Sequence, residues 1–100
     1  MVAIRWKDIK ASPATASHLE SKLSKVVRFK NVNKENIKAE IAFLKKEEQY
    51  NVHLSIPTTH KTIVAEFKSS DVLTSINKSI DRALDQLRRL KTQRLNRKTK

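Results

Sequence analysis

Residues 71–94, DVLTSINKSIDRALDQLRRLKTQR, constrain this chain more than any other stretch. Leu73, Ile76, Ile80, Ala83, Leu84 and Leu87 recur at steps of three and four, which sets them on one face of a long amphipathic helix. At roughly 100° per residue, Lys78, Arg82, Gln86 and Arg89 fall on the opposite side. Asp71 suits the N-cap, with Ser70 as the competing choice, and basic residues gather toward the C-terminal end, where the helix dipole favours them. One face has to be buried by the rest of the chain. The other is free to meet something negatively charged.

The remaining residues supply a surface for that helix. Val2, Ile4 and Trp6 alternate with Ala3 and Arg5, which predicts a first strand. Ser12-Pro13 is a helix start, a hydroxyl N-cap followed by proline at the first helical position, and Ala16, Leu19, Leu23, Val26 and Val27 form its apolar side to an end near 29–31. Three alternating runs follow, carrying Ile37, Ala39, Ile41 and Phe43, then Tyr50, Val52, Leu54 and Ile56, then Ile63, Ala65 and Phe67. Each has one apolar and one mainly polar side, the pattern of an antiparallel meander wet on one face, with hairpin joints at 45–48 and 57–60. The fold class is therefore α+β: a single β-α-β-β-β-α domain over 1–95, a four-stranded mixed sheet with two helices packed on one face, and a basic flexible tail at 96–100. The first two strands are expected to run parallel through a right-handed crossover.

Composition narrows the function. One hundred residues with a formal charge of +12 imply a polyanionic partner or surface. Cysteine is absent, so neither a disulfide framework nor thiol chemistry is available. No apolar run approaches a membrane span or a signal sequence, and the expected location is cytoplasmic. Glycine is also absent. A Walker loop, a dinucleotide fingerprint and the GXXG loop of a KH domain all need it, for positive φ or for close approach of backbone to phosphate. Turns must use Pro13, Pro57 and asparagines such as Asn31, Asn33 and Asn51, which tolerate left-handed backbone best.

Candidate catalytic groups have simpler explanations. His18, His53 and His60 lack metal-ligand spacing and are read as surface histidines, so no metal or cofactor is expected. Asp81 and Asp85 are i, i+4 neighbours among Arg82, Arg88 and Arg89, which reads as intrahelical ion pairing. Nothing in the residues argues for an enzyme. A base-stacking sheet would expose aromatics, whereas Phe43, Tyr50 and Phe67 align with the apolar rows and are expected in the core. The sheet's other face, with Lys38, Glu40, Asn51, His53, Ser55 and Glu66, is mixed rather than basic. The helices are richer: Lys22, Lys25, Arg28 and Lys30 on the first, and Lys78, Arg82, Gln86, Arg88, Arg89 and Lys91 on the second. Packed side by side, they would make one cationic surface suited to phosphate contacts and shape recognition. Arg82 and Arg89 are read as surface residues, whose replacement changes stability by no more than about 0.5 kcal/mol.

The run from Asp81-Arg82 through Gln86-Leu87-Arg88-Arg89 to Lys91, the Ser-Pro helix start and Glu20-Ser-Lys22-Leu23-Ser-Lys25 resemble the short ribosome hibernation promoting factors. This is the ribosome-associated inhibitor or sigma-54 modulation family, whose last helix carries Asp-Lys-Leu-x-x-Gln-Leu-x-Lys-x-Lys. The resemblance extends from about Ile4 to Lys91 and is most specific in the second helix. The chain departs from the family at Trp6, where glycine is usual, at Ala83, where leucine is usual, and at Asp85, where a basic residue is common. The resemblance implies a translation inhibitor of idle ribosomes that acts under stress. It would lie in the tRNA and mRNA channel of the small ribosomal subunit. By resemblance its rRNA contacts would come from Lys22, Lys25, Arg82, Arg88, Arg89 and Lys91, and the polar helix faces add Arg28, Lys78 and Gln86 as expected contacts. It also implies a monomer off the ribosome, with no membrane or small-molecule partner. Two other readings stay open: a general nucleic-acid-binding module not specific to ribosomes, and a basic helix lying on anionic membrane. The last is the weaker, because the helix's apolar face is needed for the core.

Overall fold

The computed structural model describes residues 3–10, 12–30, 32–59 and 61–98, with the backbone alone for 91–98. The elements are β1 (Ala3–Lys7), α1 (Pro13–Val26), a 3-10 turn (Lys34–Asn36), β2 (Lys38–Leu44), β3 (Gln49–Pro57), β4 (Thr62–Ser69) and α2 (Val72–Lys98). The strands form one sheet in the order β1-β2-β3-β4. β1 runs parallel to β2, while β2–β3 and β3–β4 are antiparallel hairpins. This is the α+β domain expected from the alternation of periods. The part of the expected tail beyond Lys98, and the side chains from Lys91 onward, lie outside the described residues.

Alternation along the strands puts Ile41, Val52, Leu54, Ile56 and Ile63 on one side of the sheet, where they are essentially inaccessible to solvent. Leu19, Leu23 and Val26 of α1 and Ile76, Ile80, Ala83 and Leu87 of α2 complete the core from above. Burying each large aliphatic side chain contributes roughly 1.5–3 kcal/mol, so this layer is the main source of stability. Both helix starts are capped. The Ser12 hydroxyl accepts from the Thr15 N–H at 3.1 Å, and the Asp71 carboxylate accepts from the Thr74 N–H at 2.9 Å. Asp71, not Ser70, is thus the cap of α2.

Four details differ from expectation. Leu73, placed on the buried stripe by its spacing, is 41% exposed, although its neighbour Val72 packs against the core. In its place the buried stripe takes in Ser75 and Ser79. Ser75 Oγ donates to the Tyr50 carbonyl at 2.8 Å and meets Ser69 Oγ at 2.7 Å, which ties the start of α2 to β3 and β4. Second, α1 ends at Val26, with Val27 as its C-cap, a turn earlier than its apolar pattern suggests. Third, the aromatics sit at the margin of the core. Phe43 and Tyr50 are cross-strand partners with ring centroids 5.0 Å apart, half-buried like Phe67.

Fourth, the left-handed residues among those described are not asparagines. Asn33 caps the 3-10 turn at φ −82° and Asn51 lies within β3, while Asn31 is outside the described residues. Positive φ falls instead on Asp8 (57°) and Glu48 (52°). Glu48 closes the four-residue loop between the paired Leu44 and Gln49, where the chain needs a left-handed residue to reverse. A side chain with a Cβ pays roughly 1–2 kcal/mol there. Glu48→Gly is therefore expected to stabilise the fold by about 0.5–1 kcal/mol after the glycine's larger unfolded-state entropy is counted. Thermal unfolding should show a Tm rise of a few degrees.

Candidate nucleic-acid interface

The topology makes the helices parallel. α1 returns between two parallel strands, and α2 returns after β4, which runs in the direction of β2. Their separation is set by a polar pair: His18 Nε2 and Asn77 Oδ1 lie 2.7 Å apart. His18 is thus an interhelix contact, half-buried, and not the surface residue its sequence context suggests. The pair also shows which helix sides face each other. Lys22 and Lys25 follow His18 by four and seven residues, and Asp81, Leu84 and Arg88 follow Asn77 by four, seven and eleven. Lys22 and Lys25 on α1, and Asp81 and Arg88 on α2, therefore lie on the sides of the helices that the pair brings together.

The other expected cations lie elsewhere on α2. Lys78 and Arg89 occupy the outer crest, where Arg89 is bound to Asp85 at 3.0 Å in the i, i+4 pairing expected of those residues. Arg82 and Gln86 turn toward the sheet. Arg82 donates to the Glu66 carbonyl at 3.0 Å, with its guanidinium 4.9 Å from the Phe67 ring centroid, and Gln86 donates to the Val64 carbonyl at 3.0 Å. Arg82 is thus part of the fold's framework as well as of the charged surface, a role its place on the polar side of the helix does not reveal. Arg28 lies just past α1, exposed, and the Lys91 side chain is outside the described residues.

One cation was not anticipated. Lys61, in the β3–β4 turn, lines a groove with Arg82, Asp85, Gln86, Arg89 and Leu90. No local pattern marks it, because the fold brings it to α2 from across the sheet. The turn that holds it is closed by Thr58, whose N–H and hydroxyl both donate to the Lys61 carbonyl, at 2.9 and 2.6 Å.

The uncovered face of the sheet is electrostatically different. Its cross-strand rows bring Arg5, Glu40, His53 and Glu66 into register, and below them Lys7, Ala42, Asn51 and Lys68. Glu66 accepts from Asn51 Nδ2 at 3.0 Å and lies 3.3 Å from His53 Nδ1, and Lys68 is paired with Glu47 at 2.8 Å. The face is close to charge balance, with Arg5, Lys7, Lys38 and Lys68 against Glu40, Glu47 and Glu66, and the helices with the segment just past α1 carry a larger cationic excess. The Asn51 hydrogen bond holds the Glu66 carboxyl below its ordinary value near 4.5; partial burial opposes this, and His53 and Lys68 add to it. Among the described residues no group of three or more His, Cys, Asp or Glu could hold a metal ion, and no helix is long and apolar enough to cross a membrane. His60 lies outside the described residues.

Two stability measurements follow from these contacts. Arg82→Ala removes one hydrogen bond and one cation–π contact and is expected to cost about 1–2 kcal/mol, more than an ordinary surface change. Chemical denaturation should show the midpoint falling with an unchanged m-value. Glu66, with its depressed native pKa, contributes stability that is present above about 4.5 and is lost as pH falls through the native value. Glu66→Gln should therefore lower Tm at pH 7 by the equivalent of no more than about 1 kcal/mol, since the group is exposed to solvent. The difference from wild type should close as pH is taken well below 4.5.

The fold matches known structures across nearly its whole length. A ribosomal subunit interface protein from Coxiella burnetii superposes with a TM-score of 0.77 at 20% identity, over 91% of this chain and 97% of that one. The N-terminal domain of Protein Y from Thermus thermophilus superposes with a TM-score of 0.73 at 16% identity, over 88% of this chain and 94% of that one. No curated protein sequence matches the chain. The family model described as sigma 54 modulation protein / S30EA ribosomal protein matches residues 2–95, which spans the sheet, both helices and every cation considered above. The chain belongs to the sigma 54 modulation protein / S30EA ribosomal protein family.

Proposed function

We propose that this protein binds the small ribosomal subunit in the channel that tRNA and mRNA use, and that it inhibits translation in idle ribosomes. The observation that carries the reading is the concentration of cations on the helical layer of a chain belonging to a ribosomal-protein family. Lys22, Lys25 and Arg88 on the facing sides of the helices, with Lys78 and Arg89 on the crest and Arg28 beyond α1, meet rRNA phosphates. Arg82, Gln86 and Lys91 extend that surface. Lysine and arginine contacts of this kind fix position and orientation on RNA without reading bases. The similarity to the Coxiella ribosomal subunit interface protein supports the same reading. The protein works in the cytoplasm as a monomer off the ribosome, without cofactor or small-molecule substrate.

Pelleting with small subunits across a salt series tests the mechanism. The log–log slope of affinity against salt is expected on the order of −4 to −8, for roughly that many phosphates engaged. Lys25→Glu with Lys78→Glu, both exposed and clear of the core, should weaken binding at least about tenfold, or roughly 1.4 kcal/mol, with an unchanged Tm. A flat salt response would remove the phosphate mechanism. Binding equally to ribosomes already carrying tRNA, with no loss of translation, would assign the chain to general nucleic-acid binding instead.

A further inference from the structure

β4 is an edge strand of eight residues, with no strand beyond it in the sheet. Its free backbone groups can be assigned. The Thr58 N–H donates to the Lys61 carbonyl at 2.9 Å, which makes these two the hydrogen-bonded pair beside the turn. Alternation along an antiparallel ladder then points the backbone of Thr62, Val64, Glu66 and Lys68 away from β3. Pro57, opposite Thr62, has no N–H to give the ladder and agrees with this phase. The outward row contains no proline, and beside Glu66 and Lys68 it carries the β-branched Thr62 and Val64, the latter 49% exposed. Such an edge is a template for another strand. The opposite edge is protected differently: β1 has only five residues and carries Arg5 and Lys7.

On β4 the protection comes from α2. The two outward carbonyls at the centre of the row, Val64 and Glu66, are the two that Gln86 and Arg82 occupy. The spacing explains why one helix can hold both. Four residues along a helix rise about 6 Å and two along a strand about 6.8 Å, so consecutive turns of α2 meet consecutive outward carbonyls. Arg82 is further fixed by its place over Phe67. An incoming strand would have to displace both side chains before it could form its first pair of hydrogen bonds.

We propose that Arg82 and Gln86 are a latch that keeps β4 from pairing with β4 of a second copy of this chain. A second copy is the fitting occupant because antiparallel pairing of one strand with itself about a two-fold axis is self-complementary and closed. Centred on Ala65, it pairs the outward groups of Val64 with those of Glu66 in the other copy, and those of Thr62 with Lys68, so all four outward residues are used. The latch does not depend on the ribosomal reading, since it concerns only the free protein.

The test is the molar mass in solution, by light scattering across a concentration series, of wild type, Arg82→Ala/Gln86→Ala, and the same pair with Val64→Pro. The double variant is expected to self-associate at least about tenfold more strongly than wild type, a difference of roughly 1.4 kcal/mol. Val64→Pro should reverse this, because it removes an outward N–H that the sheet itself does not use. A double variant with a wild-type circular dichroism spectrum and wild-type mass at every concentration would overturn the proposal. So would association that Val64→Pro leaves intact. If the double variant loses its fold, Gln86→Ala alone is read by the same two criteria, with a weaker association expected.

Discussion

The burial of one side of α2 on β3 and β4 is the contact on which the rest of this structure depends. The helix supplies Ile76, Ile80, Ala83 and Leu87 to a core that the sheet alone would leave open to water on both faces. It also provides the partners for α1, which meets the core through Leu19, Leu23 and Val26 and meets α2 through the His18–Asn77 pair. α2 is 27 residues long, about 40 Å at 1.5 Å per residue, in a molecule 50 Å along its longest axis.

The same placement sorts the cations into three environments with different physics. Lys22, Lys25 and Arg88 lie on the sides of the two helices that the His18–Asn77 pair brings together. On the crest, Arg89 is partly neutralised by Asp85. At the sheet edge, Arg82 already has a carbonyl and an aromatic ring as partners. A residue engaged inside the protein must give up those contacts, or share them, to engage a phosphate. Position on a helical wheel therefore overstates how equivalent these residues are. The paired rows of the open face, from Arg5 to Glu66, set opposite charges side by side and leave that side near charge balance.

A chain without glycine also has to solve its turns another way. Among the described residues the left-handed positions fall to acids, Asp8 and Glu48, and side chain to backbone hydrogen bonds at Ser69, Asp71 and Thr58 close further corners. Small polar residues serve inside the protein as well. Ser75 and Ser79 are fully buried on α2, each donating to a backbone carbonyl, which lets a polar residue lie in the core without an unmet hydrogen bond.

The element order, the parallel β1–β2 pair, the caps at Ser12 and Asp71, most of the core rows and the family were all legible in the residues. These rest on local periodicity, cap chemistry and a motif in one helix, all written within a few turns of the chain. What the residues could not convey was which polar side chains would be consumed by the fold. Leu73 leaves the buried stripe while its neighbour Val72 packs against the core, and Ser75 enters it because Tyr50, 25 residues away, offers a carbonyl. His18 meets Asn77 across 59 residues, and Lys61 joins the α2 cations only through the β3–β4 hairpin. Arg82 and Gln86 read as surface on the helix, and become part of the sheet edge once β4 lies beside them. Periodicity determines which face of an element is apolar; only the packing of distant elements determines what its polar face touches.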